Sequence, residues 1–566
     1  MKYVKILLIV IFCAVLSVLP QASFAQSVQT DVDRATTQVD RTISEEAEKK
    51  LKVKVKKPPE IKEEEEEEEK PEGPKFFVRK IKLVGTESFP PEEFSHILEK
   101  YENKNVSMQD LNTLAKEIER EYLKRGIIAA CFVPPQDVKD GVVTLRVVEA
   151  KMGVLNIKEH KYFDKARIAN YWRIKPGEVL RYDEMSRDLQ RMNKNPDRDV
   201  NAVLHAGEKP GTTDVLIEAD TKFPVHPFFS FNNEGVRSTG REQYGFGIKH
   251  NNALFVDDTV LVGWSLGEHF SGVYAYHVVP ITNIGTSFMY GFSDSRSRPE
   301  KEFKQFDIRS WSQTGSFFLT QDLFKKAEYL GEISMGLDVK DKKSSGLTGT
   351  INRDRLRILR FRANLIHKYP GTITTISPQF SQGLNFLGAR SKNPLSSRAA
   401  DSVFSKFDLG IRHRRALPLN FQAVLNFKCQ FASEKLTPQE EFSLGGINSV
   451  RGYPSGDYLA DIAFLTNFEL LIPAFFIPET VKLPYAKQPL RDSLTGVFFV
   501  DQGYGEKRGA LPTETKKDNL FSIGTGLRIR MFDMAYLRLE WGFPLGEDPI
   551  TERANSRFHL SLDFQY

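Results

Sequence analysis

The chain has 566 residues and a formal net charge of +5, from 79 basic and 74 acidic side chains. This length allows several domains, and so small a basic excess lacks the electrostatic footprint that nucleic-acid binding requires. Phenylalanine is frequent, at 42 residues, and tyrosine adds 18. We therefore expect a multidomain protein, rich in aromatic side chains, that binds no nucleic acid.

The N-terminus predicts a secretory signal peptide over residues 1–25. Two early lysines precede an apolar run over residues 6–19, and "SFA" at 23–25 places the small residues Ser23 and Ala25 at the cleavage site. The alternative is an uncleaved anchor helix, but the run is shorter than the ~20 residues that a spanning helix needs. We predict that the mature chain starts at Gln26.

Residues 26–74 predict a charged linker. They contain no aromatic side chain, and a basic block is followed by seven consecutive glutamates and then by prolines. Like charges repel and proline breaks regular structure, so this segment should be solvated. Within it, residues 27–52 fit either a modestly amphipathic helix or a disordered tail.

Residues 75–151 and 152–222 predict two tandem α/β modules with the element order β-α-α-β-β. In the first module we predict helices over residues 90–104 and 107–125, and the second helix is the clearer one. The two modules end alike, with "RVVEA" and "VLIEA", and such self-similarity marks repeated units; chance similarity is the alternative. The second helix of the first module has a Ser cap, one apolar stripe and a Gly stop, at Ser107, Leu111, Leu114, Ile118, Tyr122 and Gly126.

Residues 223–566 predict an antiparallel barrel of membrane-spanning strands. Near the C-terminus, Leu537 and Leu539 alternate with Arg538 and Glu540, so each strand has one apolar and one polar face. A soluble sandwich would show the same period. Charges on the polar face suit a water-filled lumen, and aromatic residues at strand ends suit the two membrane interfaces. We therefore favour the barrel.

The cysteine, histidine and serine residues of the sequence predict neither a catalytic site nor a metal site. Cys131 and Cys429 fall in different domains, which argues against a disulfide, and no Cys/His cluster has metal-ligand spacing. The stretch "GWSLG" matches a nucleophile elbow at Ser265, but an elbow needs a following helix, whereas this stretch predicts strand, hairpin and strand. We expect no cofactor, no metal and no enzymatic activity.

An arginine between glycine-rich turns is the strongest candidate for a functional residue. Arg451 follows Val450 and precedes Gly452 and Tyr453 in "VRGY". A guanidinium keeps its proton in proteins, so if buried it needs a carboxylate. Asp501, in the apolar strand "FVDQG", can point into a lumen while its neighbours face the other way. We predict a bidentate pair between the two; a surface turn is the alternative.

The two motifs together resemble those of the BamA-like superfamily of outer-membrane transporters and insertases. "VRGY" resembles its Val-Arg-Gly-aromatic motif, and "FVDQG" resembles its Phe-x-Asp-x-Gly motif, which ends here at Gly503. Two modules before the barrel are similar to the two POTRA domains of the two-partner secretion transporters (TpsB, haemolysin secretion/activation type). The resemblance implies a 16-stranded barrel with a loop held inside it by a clasp at Arg451, Gly452, Tyr453, Asp501 and Gly503.

The same resemblance implies a function and a set of partners. An unfolded exported protein (TpsA-like) would be captured by the POTRA domains, at second-helix and second-strand edges, and threaded through the barrel. The transporter would be a monomer in outer-membrane lipid, inserted by the barrel-assembly machinery through terminal aromatic residues, here Phe564 and Tyr566. Residues 27–52 would supply the plug helix. The long glutamate-rich linker and a terminal Tyr instead of Phe depart from the family pattern.

Three other functions are compatible with parts of this pattern. An assembly factor that inserts other barrels (BamA/TamA-like) would share the fold and both motifs, although more POTRA domains would be expected. A simple solute porin would leave the two modules without a purpose. A secreted enzyme lacks any convergent catalytic set. Protein export is therefore the function that we expect.

Overall fold

The structure is a computed structural model, and the signal peptide and the plug helix lie outside the residues that it describes. The linker lies outside them too, apart from a three-residue strand and the last residue. Among the described residues, no helix is long and apolar enough to cross a membrane. The described residues are 61–63, 74–138, 140–158, 161–325, 328–389, 391, 393–482, 489–512, 514–532 and 534–566.

The described chain forms two compact units. One extends to Pro224 and includes the turn Leu254–Asp257; the other contains Val225–Ala253 and Asp258–Tyr566. The first unit holds both α/β modules, and the second holds the barrel.

The first module has a three-stranded sheet in the order β3-β6-β5, beside a small β2-β4 pair. Its sheet is mixed, because β3 and β6 are parallel whereas β5 and β6 are antiparallel. After β1, Ile61–Glu63 of the linker, its elements are β2 Phe76–Val78, β3 Lys80–Val84, α1 Ser95–Leu98, β4 Lys104–Val106, α2 Met108–Lys124, β5 Ala129–Phe132 and β6 Val142–Glu149.

Helix α2 builds the core of this module. Ser107 accepts a hydrogen bond from the backbone N–H of Asp110, and the Asp110 side chain accepts one from the backbone N–H of Ser107. This reciprocal cap satisfies two helix-end donors. The predicted apolar stripe, Leu111, Leu114, Ile118 and Tyr122, is fully buried, and Gly126 adopts a left-handed φ of 82° after the helix.

The other helix of the first module is shorter than predicted over residues 90–104. A 3-10 turn over Pro91–Phe94 leads into the four-residue helix α1, and Lys104–Val106 is a strand. Asn103 adopts a left-handed φ of 58°, which reverses the chain and lets Lys104–Val106 pair with Phe76–Val78. Sheet pairing therefore overrides local helix preference here.

The second module has the order β-α-α-β-β, and its described residues form no counterpart of β2 and β4. Its sheet order is β1-β8-β9-β7, so the linker strand β1 is the outer neighbour of β8. That pairing is parallel, with Ile61 opposite Ala202 and Glu63 opposite Leu204. The elements of the second module are β7 Lys151–Ile157, α3 Lys165–Ala169, α4 Tyr182–Met192, β8 Arg198–Ala206 and β9 Thr212–Thr221.

The barrel is closed by sixteen strands, β10 to β20 and β23 to β27, and the last strand pairs with the first. All neighbouring pairs are antiparallel, and closure of the barrel leaves the sheet without a free edge. The strands are β10 Val225–Asn232, β11 Gln243–His250, β12 Thr259–Gly267, β13 Phe270–Pro280, β14 Thr286–Ser297, β15 Arg309–Lys325, β16 Tyr329–Gly346, β17 Gly349–Tyr369, β18 Thr372–Gly383, β19 Ser405–Ala416, β20 Gln422–Ala432, β23 Ile462–Pro473, β24 Leu494–Glu506, β25 Lys517–Met531, β26 Ala535–Pro544 and β27 Arg557–Gln565.

The two faces of the barrel wall differ as the alternation predicts. Trp541 is 48% exposed and Phe558 is 50% exposed, whereas their neighbours Glu540 and His559 are fully buried. Apolar side chains therefore face outward, where lipid would lie, and charged side chains face inward. A soluble sandwich would have the opposite arrangement, with its apolar side chains inside, so the sandwich is excluded. The side chains that line the lumen are therefore held by polar contacts.

Candidate functional site

The connection between β20 and β23, residues 433–461, folds against inward-facing side chains of the barrel; we call it the lumenal loop. It carries a short hairpin of β21 Phe442–Leu444 and β22 Tyr458–Ala460. Its apolar side chains form a buried cluster with Ala463, Leu465 and Leu520 of the wall. The loop is thus a packed element inside the barrel.

Arg451 lies in this loop, and its guanidinium contacts the carboxylate of Asp501 on β24. The Nη2–Oδ1 distance is 2.6 Å and the Nε–Oδ2 distance is 2.7 Å, so the pair is bidentate. The backbone N–H of Arg451 also donates to Asp501 Oδ2, at 3.0 Å. Arg451 is 1% exposed and Asp501 is fully buried, an environment in which each charge requires the other.

Two further carboxylates and an aromatic ring complete the surroundings of Arg451. Its Nη1 lies 2.6 Å from Glu469 on β23 and 3.0 Å from Glu540 on β26. The guanidinium carbon lies 3.6 Å from the centre of the Phe499 ring, a cation–π geometry. Burial alone would lower the pKa of the Arg451 guanidinium, but Asp501, Glu540 and Glu469 outweigh it and raise that pKa.

The glycine after Arg451 permits the loop to approach the wall closely. Gly452 has a φ of 105°, and a Cβ at this position would lie 3.0 Å from the backbone nitrogen of Pro544. Gly503 on β24 has a matching role, since its Cβ would lie 2.8 Å from the side chain of Val450. Both positions therefore need a residue without a side chain.

Tyr453 fixes the loop on the other side of Arg451. Its hydroxyl donates to the backbone carbonyl of Glu547 at 2.9 Å, and its ring is 1% exposed. The structure thus brings Arg451, Gly452, Tyr453, Asp501 and Gly503 together at one place on the lumenal wall.

Sequence reasoning missed the acidic partners Glu469 and Glu540 and the cations that bridge them. Arg528 donates to both carboxylates, and Arg538 donates to Glu540 at 2.6 Å. The signal was present as a charged residue within an apolar strand, "FELLIP" for Glu469. Alternation places such residues on the inner face, but it does not identify which inner charges meet.

A second buried ion cluster holds the start of the lumenal loop. The Glu440 carboxylate lies 2.7 Å from Lys340 on β16, 2.8 Å from Arg360 on β17 and 3.0 Å from Lys406 on β19. Glu440 is 2% exposed. Burial would raise the pKa of this carboxyl group, but Arg360, Lys340 and Lys406 outweigh it and lower that pKa well below its ordinary value.

A third cluster surrounds Arg398, in the connection between β18 and β19. The Arg398 side chain is 1% exposed, and its guanidinium contacts Glu441, Asp461 and Glu514. These carboxylates belong to the lumenal loop and to the connection between β24 and β25. Arg398 therefore joins three connections of the barrel, and sequence reasoning did not single it out.

The C-terminal aromatic residues lie where the barrel closes. Phe564 pairs with Phe229 on β10 and with Ala535 on β26. The backbone N–H of Tyr566 donates to the backbone carbonyl of Pro227 at 3.2 Å. Both side chains are exposed, at 38% and 64%, on the outer surface of the strand that joins the two ends of the barrel.

The remaining chemical candidates lie in structural positions. Ser265 is buried on β12, paired with Gly245 and Gly272, and strand β13, not a helix, follows it. Cys131 and Cys429 are free thiols in different units. Within the described ranges, no group of three or more His, Cys, Asp or Glu side chains is arranged to hold a metal ion.

Known proteins resemble the chain in sequence over most of its length. It is 23% identical to the outer membrane transporter CdiB of Dickeya dadantii, strain 3937, over 68% of this chain and 70% of the relative. It is 24% identical to the heme/hemopexin transporter protein HuxB of Haemophilus influenzae, strain 86-028NP, over 83% of each chain.

Two solved structures share the fold. CdiB from Escherichia coli has a TM-score of 0.70 at 19% identity, covering 94% of this chain and 98% of that one. BamA from Haemophilus ducreyi lacking POTRA domains 1–3 has a TM-score of 0.55 at 12% identity, covering 87% and 100%. At these identities the likeness shows the fold alone, so the barrel architecture does not by itself separate a transporter from an insertase.

Family models match both units. The model for a ShlB-type POTRA domain matches residues 76–150, within the first module. The model for the haemolysin secretion/activation protein ShlB/FhaC/HecB matches residues 211–529, more than half of the chain. The chain therefore belongs to the haemolysin secretion/activation (ShlB/FhaC/HecB) family, as an outer-membrane transporter of two-partner protein secretion whose POTRA domains are periplasmic.

Proposed function

We propose that the protein captures an unfolded exported partner with its POTRA modules, passes it through the barrel lumen and releases it at the cell surface. We place the boundaries of the modules at 75–151 and 152–222 and the start of the barrel at 223. The single observation that carries the proposal is the Arg451–Asp501 pair, because a loop tied inside the lumen shares that space with anything that passes.

Capture is supported by the edges of the module sheets. The outer edge of β8 takes β1 as a parallel strand, and β3 and β5 are the outer strands of the first module's sheet. An extended polypeptide that adds to such an edge forms main-chain hydrogen bonds with little demand on its sequence. An unfolded partner with varied side chains fits this mode of binding.

Passage is supported by the character of the wall. Inward positions are occupied by charged and hydroxyl side chains, such as Ser316, Asp338 and Arg360, while the apolar side chains face outward. An extended chain finds few apolar surfaces to adhere to on such a wall. Because nucleotide is not available in the periplasm, folding of the partner outside the cell would give the transport its direction.

The loop–barrel clasp formed by Arg451, Gly452, Tyr453, Asp501 and Gly503 would position the lumenal loop during export. Arg451 shares two of its carboxylates with Arg528 and Arg538, so moving the loop would leave buried charges unbalanced. The loop follows β20, the eleventh strand of a barrel that the chain enters from the periplasmic modules, so its ends open on the cell surface.

The terminal aromatic residues would serve insertion rather than transport. Phe564 lies on β27, the strand that closes the barrel, Tyr566 directly follows it, and both present exposed rings. We propose that the barrel-assembly machinery recognises them, and that the inserted protein acts as a monomer surrounded by outer-membrane lipid.

The test is secretion of the natural partner by Arg451→Ala and Asp501→Ala variants. We expect each to insert, since the strand pairs remain, and to secrete at least about tenfold less, as breaking a buried pair costs about 3–5 kcal/mol. Arg553→Ala is the matched control, because Arg553 is 84% exposed in its side chain and its removal should leave secretion unchanged.

The possible outcomes separate transport from assembly. Full secretion by both clasp variants would remove the role assigned to the pair. Secretion of no partner, together with loss of other barrels from the outer membrane on deletion of the gene, would support the assembly factor instead. Loss of secretion with other barrels intact supports the proposed function.

A further inference from the structure

The Glu440 cluster is a contact between the lumenal loop and the wall that the Arg451 clasp does not explain. Glu440 belongs to the start of the loop, eleven positions before Arg451. Its three cationic partners come from three different strands, β16, β17 and β19. The neighbouring side chain of Gln439 reaches Ser312 on β15, at 3.3 Å. This part of the loop therefore lies against its own section of the barrel.

The two sections of wall have no strand in common. The partners of Glu440 lie on the seventh, eighth and tenth strands, whereas those of Arg451 lie on the twelfth, thirteenth and fifteenth. The nearest strands of the two sets, the tenth and the twelfth, are two steps apart, and the seventh and the fifteenth are eight steps apart in a circle of sixteen. The loop is thus held by buried charges at two sets of strands that together extend over half of the barrel wall.

The charges at the Glu440 end are arranged for a carboxylate. Arg360 also donates to Asp338 and to Ser381, which fixes its guanidinium on the wall. Lys406 contacts the carboxylate of Glu440 and donates to its backbone oxygen at 2.9 Å. Without the carboxylate, the buried Lys406 and the partly buried Lys340 would lose the anion that they share, which is unfavourable.

We propose that Glu440 is a second positioning residue for export, which ties the start of the lumenal loop to the wall independently of Arg451. Glu440 and Arg451 are then two anchors of the loop beside the Arg398 cluster, which contacts Glu441 and Asp461, and release of either anchor widens the lumen. The role in export rests on the proposed function, but the attachment of the loop at Glu440 can be tested without any secreted partner.

The experiment measures release of each end of the loop by thiol labelling on intact cells. Thr437→Cys reports the Glu440 end and Ser449→Cys the Arg451 end, because these side chains are 1% and 6% exposed. Adding Glu440→Gln should raise the rate of reaction of Cys at 437 with an impermeant maleimide by at least about tenfold. The rate at 449 should change less than about twofold, since distant sites act independently.

Arg451→Ala should give the opposite result, with faster labelling at 449 and little change at 437. Glu434→Gln is the control for loss of the same charge, because Glu434 is an exposed residue of the same loop. Glu440→Asp keeps the charge and should restore most of the protection. The natural thiols Cys131 and Cys429 are buried and set the background.

Channel conductance in planar bilayers gives a second measurement. Glu440→Gln and Arg451→Ala should each raise the open probability, and the double variant should show the product of the two increases. If Glu440→Gln does not insert, Lys340→Gln removes one partner only and should change both measurements in the same direction, by less.

The inference is overturned if Glu440→Gln accelerates labelling equally at both positions or at neither, or if the double variant opens no more than Arg451→Ala alone. Either result leaves the proposed function standing, because that function is judged by secretion in the clasp variants. Failure of the wild-type protein to secrete any partner would overturn the proposed function and leave the two-anchor geometry to be decided by the labelling.

Discussion

The two units of this protein are stabilised in opposite ways. The POTRA modules bury apolar side chains, such as Leu111 and Ile118 in the first and Leu189 and Val215 in the second. The barrel exposes its apolar side chains and buries charges, among them Arg360, Arg398 and Arg451. The difference follows from the solvent on the outer face, which is water for the modules and lipid for the barrel.

This contrast predicts different responses to substitution. Removing a buried apolar side chain leaves a cavity, whose cost depends on how far the surroundings collapse. Removing one member of a buried ion pair leaves its partners charged and without water. Small movements of neighbouring side chains do not supply the missing opposite charge. The barrel connections should therefore be more sensitive to single substitutions than the apolar cores of the modules. The substitutions below are ordered by the loss of stability that we expect.

The largest effect should come from Arg398→Ala. Three carboxylates, Glu441, Asp461 and Glu514, would lose their common cation, and we expect the connections that it joins to lose about 3–5 kcal/mol of stability against local opening. Hydrogen exchange of peptides from residues 433–461 and 507–516 in the whole protein would measure it. Arg296→Ala, at a side chain that is 73% exposed, should change nothing.

A cavity in the first module should cost somewhat less. Leu111→Ala removes a fully buried side chain at the centre of helix α2, and we expect a loss of about 3 kcal/mol, confined to this module. Hydrogen exchange along α2 would measure it, with Leu123→Ala as the control because Leu123 is 44% exposed. An equal loss of protection in the barrel would contradict the separation of the two units.

The features that create this contrast were predictable from sequence to different extents. Alternation placed Glu540 on an inner face and Trp541 on an outer one, and the helical period identified the stripe of Leu111 and Leu114, because both patterns are local. The meeting of Arg451 with Asp501 followed from two motifs and the need of a buried cation for an anion.

The remaining ion clusters could not be predicted because closing a barrel brings distant strands together. Glu440 meets Lys340, 100 positions away, and Arg398 meets Glu514, 116 positions away. Many inner charges satisfy alternation equally well, and only the register and the path of the loop select the pairs. The same limit explains the over-long helix at 90–104, where a strand pair with Phe76–Val78 overrode local preference.

Acidification should weaken the contact between Glu234 and the lumenal loop. Glu234, just after β10, contacts His559 at 2.7 Å and accepts bonds from the Ile447 N–H and the Ser455 hydroxyl. Burial would raise the pKa of Glu234, but His559 and the hydrogen bonds outweigh it and lower that pKa from 4.5 to about 2.

Because the folded-state pKa of Glu234 is the lower one, its ionised form stabilises the protein fully above about pH 4.5, and this contribution is lost as the pH falls towards 2. Glu234→Gln should therefore cost about 2 kcal/mol at pH 7 and progressively less below pH 4.5. The measurement is guanidinium unfolding of the detergent-solubilised barrel at several pH values. A constant difference between the two proteins across that range would contradict the assignment.

The smallest effect should come from the end of a helix in the first module, where a polar contact supports an apolar core. Ser107→Ala removes the acceptor for the Asp110 N–H and should cost about 1 kcal/mol. Hydrogen exchange in the first turn of α2 would measure it, and Ser107→Thr, which keeps the hydroxyl, should retain most of the protection. The N–H groups at a helix end can bind water instead, whereas the carboxylates around Arg398 cannot. A loss of stability here as large as that of Arg398→Ala would therefore mean that access to water does not determine the order of these effects.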